Sequence, residues 1–343
     1  VKRVILPGLA AALGIGLVSR LLSSLIVIQG SHPVSEVILA IVLGLAVNLL
    51  LPFIRPIITP GATFALKRLL KLGIVLLGLG LSLPAVLKAG GSSLLIIVIC
   101  VALSLLLTSW LGRVMGVKEK LATLIAVGCG ICGATAIVAA APAIEADEDE
   151  VCYSIAVITI FGVLAIFLYP VIGGLLALTD SQFGTWAGIA VHETAQVVAA
   201  GFAFSDAAGK VATVVKLTRT TMLAPLVLFL AARHARRSAA TGKKVDIKSM
   251  IPWFIGGFLA LALLRSLGDV AVAGTALAGT WASIKSAVSY AAKLLIVTAM
   301  AGVGLSASLD VFRTTGFKPL LIGLAASVLM GAASLAMILL AGI

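Results

Sequence analysis

The sequence predicts an all-α integral membrane protein of about eleven transmembrane helices. The predicted layout is an extra N-terminal helix and two inverted five-helix repeats, with broken helices crossing at mid-membrane. Three observations lead there. Of 343 residues, 61% are hydrophobic and only 25 basic plus 13 acidic residues are present, 11% of the chain, with a mean hydropathy of +1.23. An average soluble domain is nearer ~25% charged, and so little charge cannot solvate a 34.8 kDa globule. Eleven apolar runs approach or exceed the ~20 residues that a membrane helix needs. Two of those runs hold glycine-rich interruptions, Gly128-Cys-Gly-Ile-Cys-Gly133 and Gly302-Val-Gly304, and paired broken helices at mid-membrane are a transporter architecture.

The spans follow in order. The first, 5–28, comes after Lys2-Arg3 but is too long for a signal-peptide core and contains Arg20, so it reads as a retained helix. Spans 34–51, 66–87, 91–112, 121–142 and 151–177 form repeat one, residues 34–177. Within it, Asn48 reads as an interhelical hydrogen bond, and Gly128 to Ala141 is almost entirely small residues. Spans 184–204, 209–232, 250–268, 287–309 and 317–342 form repeat two, residues 184–342, so that 1–343 is one transporter unit. The seventh, 184–204, is the weakest because it holds His192, Glu193 and Gln196. It is expected to cross, because otherwise the basic loop 233–248 would change sides. Arg265 and Lys293 sit near span ends, where long side chains snorkel.

Positive charge in short loops marks the cytoplasmic side. With the N-terminus inside, seventeen Lys and Arg residues fall in inner loops and only Lys88, Lys210 and Lys285 in outer ones. Topology and anionic lipid therefore account for the net charge of +12. No groove-reading motif accompanies the charge, which argues against nucleic acid as a partner. Short echoes link Gly78-Leu-Gly-Leu-Ser82 with Gly302-Val-Gly-Leu-Ser306, and Ile131–Ala140 with Val191–Ala200. A linear duplication pairs the fifth span with the tenth instead, making Gly128, Gly130, Gly302 and Gly304 the helix breaks.

The ionisable residues inside spans point to chemistry, because a charge at the bilayer centre costs ~2.5–3.5 kcal/mol on insertion scales. Lys216 and Arg219 lie one turn apart in the eighth span, with Thr220 on the same face. His192, Glu193 and Gln196 form a polar stripe in the seventh. A half-helix beginning near Gly133, Ala134 and Thr135 would aim N–H groups at an anion. The substrate-binding candidates are therefore Gly133, Ala134, Thr135, Gln196, Lys216 and Arg219. His192 and Glu193 are the coupling-ion candidates, since His titrates near neutrality and buried carboxylates can be shifted there. Two plainer readings compete: close helix packing by small residues, and a structural Glu193–Arg219 pair. Cys129-x-x-Cys132 reads as small packing residues, because no second CxxC or nearby His completes a metal site. No metal or cofactor is expected beyond a coupling proton or Na+.

Gly130 to Pro142 (Gly-Ile-Cys-Gly-Ala-Thr-Ala-Ile-Val-Ala-Ala-Ala-Pro), an acidic loop, Tyr169-Pro170, the run Phe183 to Gly201 around His-Glu-Thr-Ala-Gln, Lys216-Leu-Thr-Arg219 and Pro225 together resemble the YeiH-type family. These are bacterial inner-membrane proteins labelled sulfate exporters. The family commonly has Ser at the position of Gly130, and Asp as often as Glu at Glu193. The resemblance implies kinship with cation/proton antiporters and bile-acid-type anion transporters, with crossed broken helices moving against a panel.

The leading expectation is secondary export of a sulfate- or sulfonate-like anion, driven by an ion gradient since no GxxxxGK[ST] motif is present. The alternative is a sodium-coupled organic-anion symporter. An intramembrane enzyme is remote: His192-Glu-Thr-Ala-Gln196 lacks the second histidine of H-E-x-x-H. The expected partners are a small anionic substrate and the bilayer, with homodimerisation left open.

Overall fold

The computed structural model describes residues 2–25, 35–237, 253–307 and 317–343, and every regular element among them is helical. In chain order these are α1 (Lys2–Leu25), α2 (Glu36–Leu50), α3 (Pro52–Gly80), α4 (Leu83–Val114), α5 (Glu119–Gly130), α6 (Ala134–Ala140) and α7 (Glu148–Leu175). There follow α8 (Asp180–Ala190), α9 (Thr194–Phe204), α10 (Asp206–Thr221), α11 (Leu223–Arg237), α12 (Trp253–Ala271), α13 (Ala278–Ser306) and α14 (Phe317–Ala341). Among the described residues, seven helices are long and apolar enough to cross a membrane, or eight if α2 and α3 count as one bent span. The 95° bend between α2 and α3 falls at Leu51, where Pro52 disfavours helical backbone in the residue before it.

Span 121–142, read from the sequence as glycine-interrupted, is two half-helices, and span 184–204, read as one crossing helix, is two as well. The pairs are α5 with α6 and α8 with α9, separated at Ile131–Gly133 and Val191–Glu193. Several basic residues used for orientation, Lys243, Lys244, Lys248 and Arg313, lie outside the described residues. The acidic run before α7 has a local role: the Glu150 N–H donates to Asp147 Oδ1 (2.7 Å) and the Asp147 N–H to Glu150 Oε2 (3.0 Å), a capping box.

The chain divides into two compact units, Val1–Lys88 with Trp253–Ser308, and Ala89–Pro252 with Leu309–Ile343. Each unit draws on both expected repeats. In the first unit, Gly302 and Gly304 lie inside the unbroken helix α13, which corrects their assignment as a break. A Cβ on Gly302 would lie 2.7 Å from the Ala62 carbonyl oxygen of α3, and one on Gly304 would strike the Ile41 carbonyl of α2. These glycines let backbones approach, the usual service of small residues at membrane helix contacts. Asn48 donates to the Ala307 carbonyl (2.5 Å) at the end of α13, the interhelical bond expected of it. Lys293 and Arg20 reach Glu36 at 2.9 and 3.9 Å. Arg265 bonds Asp269 (3.2 Å) and the Gly80 carbonyl (2.5 Å).

The second unit holds both broken pairs. Its apolar core includes Leu124, Ile125, Ile137 and Ile158 around α5 and α6, and Phe183, Ile189 and Val197 around α8 and α9. Small residues dominate the half-helices, so that two interruptions and the helix α10 pack together.

Candidate functional site

A helix leaves its last carbonyls without intrahelical partners and carries about −0.5 charge at that end. In the second unit, the C-terminal ends of α5 and α8 share two cations from α10. Lys216 Nζ donates to the carbonyls of Ile131 (2.9 Å), Val191 (3.1 Å) and His192. Arg219 Nε donates to Gly130 O (2.7 Å), Nη1 to Gly188 O (3.4 Å), Ile189 O and Val191 O (3.0 Å), and Nη2 to Cys129 O. Both side chains have zero exposure. Sequence spacing put them one turn apart, and that spacing lets one helix reach both breaks. Thr220, on the same face, turns its hydroxyl back to the Lys216 carbonyl (2.8 Å).

The opposite ends of the breaks meet a carboxylate. Glu193 is the N-cap of α9, and the Ala134 N–H of α6 and the Thr159 side chain of α7 lie beside its carboxyl. Gln196 reaches back from α9, its Oε1 accepting from the Glu193 N–H (3.1 Å) and its Nε2 donating to the Thr159 carbonyl (3.4 Å). Two glycines make room. Gly133 has φ +73, and a Cβ there would lie 2.5 Å from Glu193 Cγ; a Cβ on Gly162 would strike the Gln196 amide. The positive φ is a conformation that L side chains rarely adopt.

His192 lies between these layers, 2% exposed. Ser327 of α14 donates to the Gly323 carbonyl (2.7 Å), so its oxygen accepts from His192 Nε2 at 2.7 Å. That assignment leaves Nδ1 as a bare acceptor, and it has no hydrogen-bond partner among the described residues. Cys129 Sγ approaches Nε2 at 3.9 Å.

The arrangement gathers Gly133, Ala134, His192, Glu193, Gln196, Lys216 and Arg219, with Thr135 beside them at the start of α6. It changes their geometry. His192, Glu193 and Gln196 do not form one helical stripe, because α9 starts only at Thr194 and the first two belong to the break. Gly128 lies within α5 and Gly130 ends it, so the first break falls just after them. Gly302 and Gly304 belong to the first unit. The accessible part of the centre is the carboxylate side: Thr135 is exposed, and Ala134, Glu193, Thr194 and Ala195 are half-buried. Thr159, Gly162, Thr194 and Ser327 were not singled out from sequence. Thr194 carried a signal as the residue after Glu193, whereas Ser327 lies 135 residues from His192 and carried none.

Comparison with known proteins adds the family. The sequence model described as conserved hypothetical protein 698 matches residues 7–323. The UPF0324 membrane protein of Agrobacterium fabrum is 36% identical over 315 residues, covering 91% of this chain and 86% of that one. Those of Clostridium tetani (33% identical; 81% and 83% covered) and Yersinia pestis (36% identical; 83% and 79% covered) are similar. No solved structure matches. The chain, a multi-helix membrane protein with two interrupted helices in one unit, belongs to the UPF0324 membrane protein family.

Proposed function

We propose that this protein is a secondary transporter of a small oxyanion or organic sulfonate, working in a bacterial inner membrane with its N-terminus cytoplasmic. The observation that carries this reading is a charge imbalance. Lys216 and Arg219 stand against Glu193, which leaves a formal +1 in a centre where both cations are fully buried. Uncompensated buried charge is costly, and an anion on the accessible side relieves it. Thr135 and Thr194 offer hydroxyls there, beside the positive ends of α6 and α9. Lys216 and Arg219 then act as a framework and a source of potential, since their donors already meet carbonyls.

Counting α2 and α3 separately, each broken pair as one span, and α10 with α11 as one span gives eleven crossings. The echo between Ile131–Ala140 and Val191–Ala200 supports pairing the two broken elements with each other as the internal repeat. The reading is of a carrier and not an enzyme, with no cofactor beyond the coupling ion. Glu193 is its proton site: a proton there raises the centre from +1 to +2 and strengthens anion binding. That linkage has the sign of symport. Export, which the resemblance suggests, then needs an outward anion gradient steeper than the inward proton gradient. Sodium coupling is the second reading, favoured by the oxygen atoms of Thr159 and Gln196 close to Glu193.

Anion flux into proteoliposomes, with sulfate, thiosulfate and taurine as probes, tests the proposal. Thr135→Val with Thr194→Val is expected to cut flux by at least roughly 10–100-fold, the weight of one of the two hydrogen bonds to a charged group that it removes, without moving the melting temperature. Glu193→Gln is expected to remove the dependence of flux on a pH jump. Unchanged flux in both variants would sink the assignment.

A further inference from the structure

A threonine in an apolar helix normally turns its hydroxyl onto a carbonyl one turn back. Thr213 and Thr298 do so here, at 2.7 and 2.8 Å. Thr108 of α4 does not. It is 2% exposed, and its Oγ1 has no hydrogen-bond partner among the described residues. At membrane depth no water is at hand to supply one. Thr108 lines a groove of about 200 Å³ walled by Leu107, Trp110 and Leu111 of α4 and by Ala326 and Leu329 of α14. Apart from that hydroxyl the groove is apolar.

The groove has one basic end. Arg113 lies one turn beyond Trp110 on α4, and Lys318 lies two turns before Ala325 on α14; both are exposed. A Cβ on Gly112 would be 3.9 Å from Ile322 Cδ1, so the end of α4 and the start of α14 are neighbours. At a rise of 1.5 Å per residue, Thr108 sits about 7.5 Å below Arg113 along the helix, comparable with the reach from ester carbonyl to phosphate in a phospholipid. Trp110 is exposed beside it, as aromatic residues are at the membrane interface.

We propose that this groove holds one anionic glycerophospholipid: its phosphate meets Arg113 and Lys318, an ester carbonyl accepts from the Thr108 hydroxyl, and an acyl chain fills the wall of Trp110, Leu111 and Leu329. Charge complementarity selects this occupant over a neutral lipid, and the orphan hydroxyl selects an ester-bearing one over a hydrocarbon. The site is independent of the transport reading.

Native mass spectrometry of the full-length protein in detergent, with phosphatidylglycerol and phosphatidylcholine of matched chains, tests it. The wild type should retain one phosphatidylglycerol in clear preference. Thr108→Val, nearly isosteric, should lower that occupancy roughly fivefold, the weight of one net hydrogen bond. Arg113→Gln with Lys318→Gln should erase the headgroup preference, and Ala326→Phe should block both lipids. Equal retention of the two lipids by the wild type, or unchanged retention in Thr108→Val and Ala326→Phe, would overturn the proposal. If Ala326→Phe melts early, the Thr108 and paired Gln variants decide.

Discussion

Replacing Arg219 or Lys216 with Met asks whether these cations hold the broken helices together or bind substrate directly. Arg219 serves five carbonyls, of which Val191 O is also served by Lys216, so Arg219→Met orphans four. Lys216 serves three, again sharing Val191 O, so Lys216→Met orphans two. A buried acceptor left without a donor costs about 1–3 kcal/mol. The losses are therefore about 4–12 kcal/mol for Arg219→Met and about 2–6 kcal/mol for Lys216→Met. Each substitution also removes a buried cation, whose desolvation penalty is several kcal/mol. That relief is similar for both and cancels in their difference, which is about 2–6 kcal/mol in favour of Lys216→Met. Thermal unfolding with a thiol-reactive dye suits the question once the exposed Cys152 is replaced by Ser, because the remaining cysteines, Cys100, Cys129 and Cys132, are all buried, the last two beside the first break. The expected order of melting is wild type, then Lys216→Met, then Arg219→Met. Two variants that melt like the wild type yet lose anion flux would refute the carbonyl-clasp reasoning and make the cations direct ligands.

Two further outcomes are expected. His192→Gln keeps an amide donor near the Nε2 position facing Ser327 and should melt within about 1 kcal/mol of wild type, whereas His192→Leu should lose at least that hydrogen bond; the reverse order in denaturation would show that Nε2 is not the donor. Gly133→Ala combines φ +73 with a Cβ 2.5 Å from Glu193 Cγ, so a destabilisation of more than about 1 kcal/mol is expected; an unchanged melting temperature would mean the first break tolerates a relaxed backbone.

The composition of the centre was legible because charge inside an apolar run is rare and has to be explained. Lys216, Arg219, His192 and Glu193 stood out on that ground alone. Their partners did not, since a main-chain carbonyl has no signature in the residue that bears it. An anion and a helix C-terminus present the same sign of charge to a cation, so the sequence pattern could not tell a ligand from a clasp. The glycines show the same ambiguity. Gly133 serves a turn with positive φ, while Gly302 and Gly304 serve close packing inside an unbroken helix, and both uses read as Gly-x-Gly. The break in the seventh span was hidden by treating 184–204 as one periodic helix. Its start signal, Glu193 with Gln196 three residues on, is the capping pattern at an unusual depth.

The interleaved order of the two units bears on how the protein is made. Helices α1 to α3 belong with α12 and α13, yet residues 89–252, 164 in number, separate the two parts of that unit. During synthesis the early helices enter the bilayer roughly ten to thirty seconds before their partners leave the ribosome. Through that interval the backbone grooves at Gly44 and Gly78, which pack on α13 and α12, face lipid or an insertion chaperone, whereas most of the second unit emerges without interruption. Truncated nascent chains should therefore acquire protease resistance first around α5 to α10, and only later at the N-terminus.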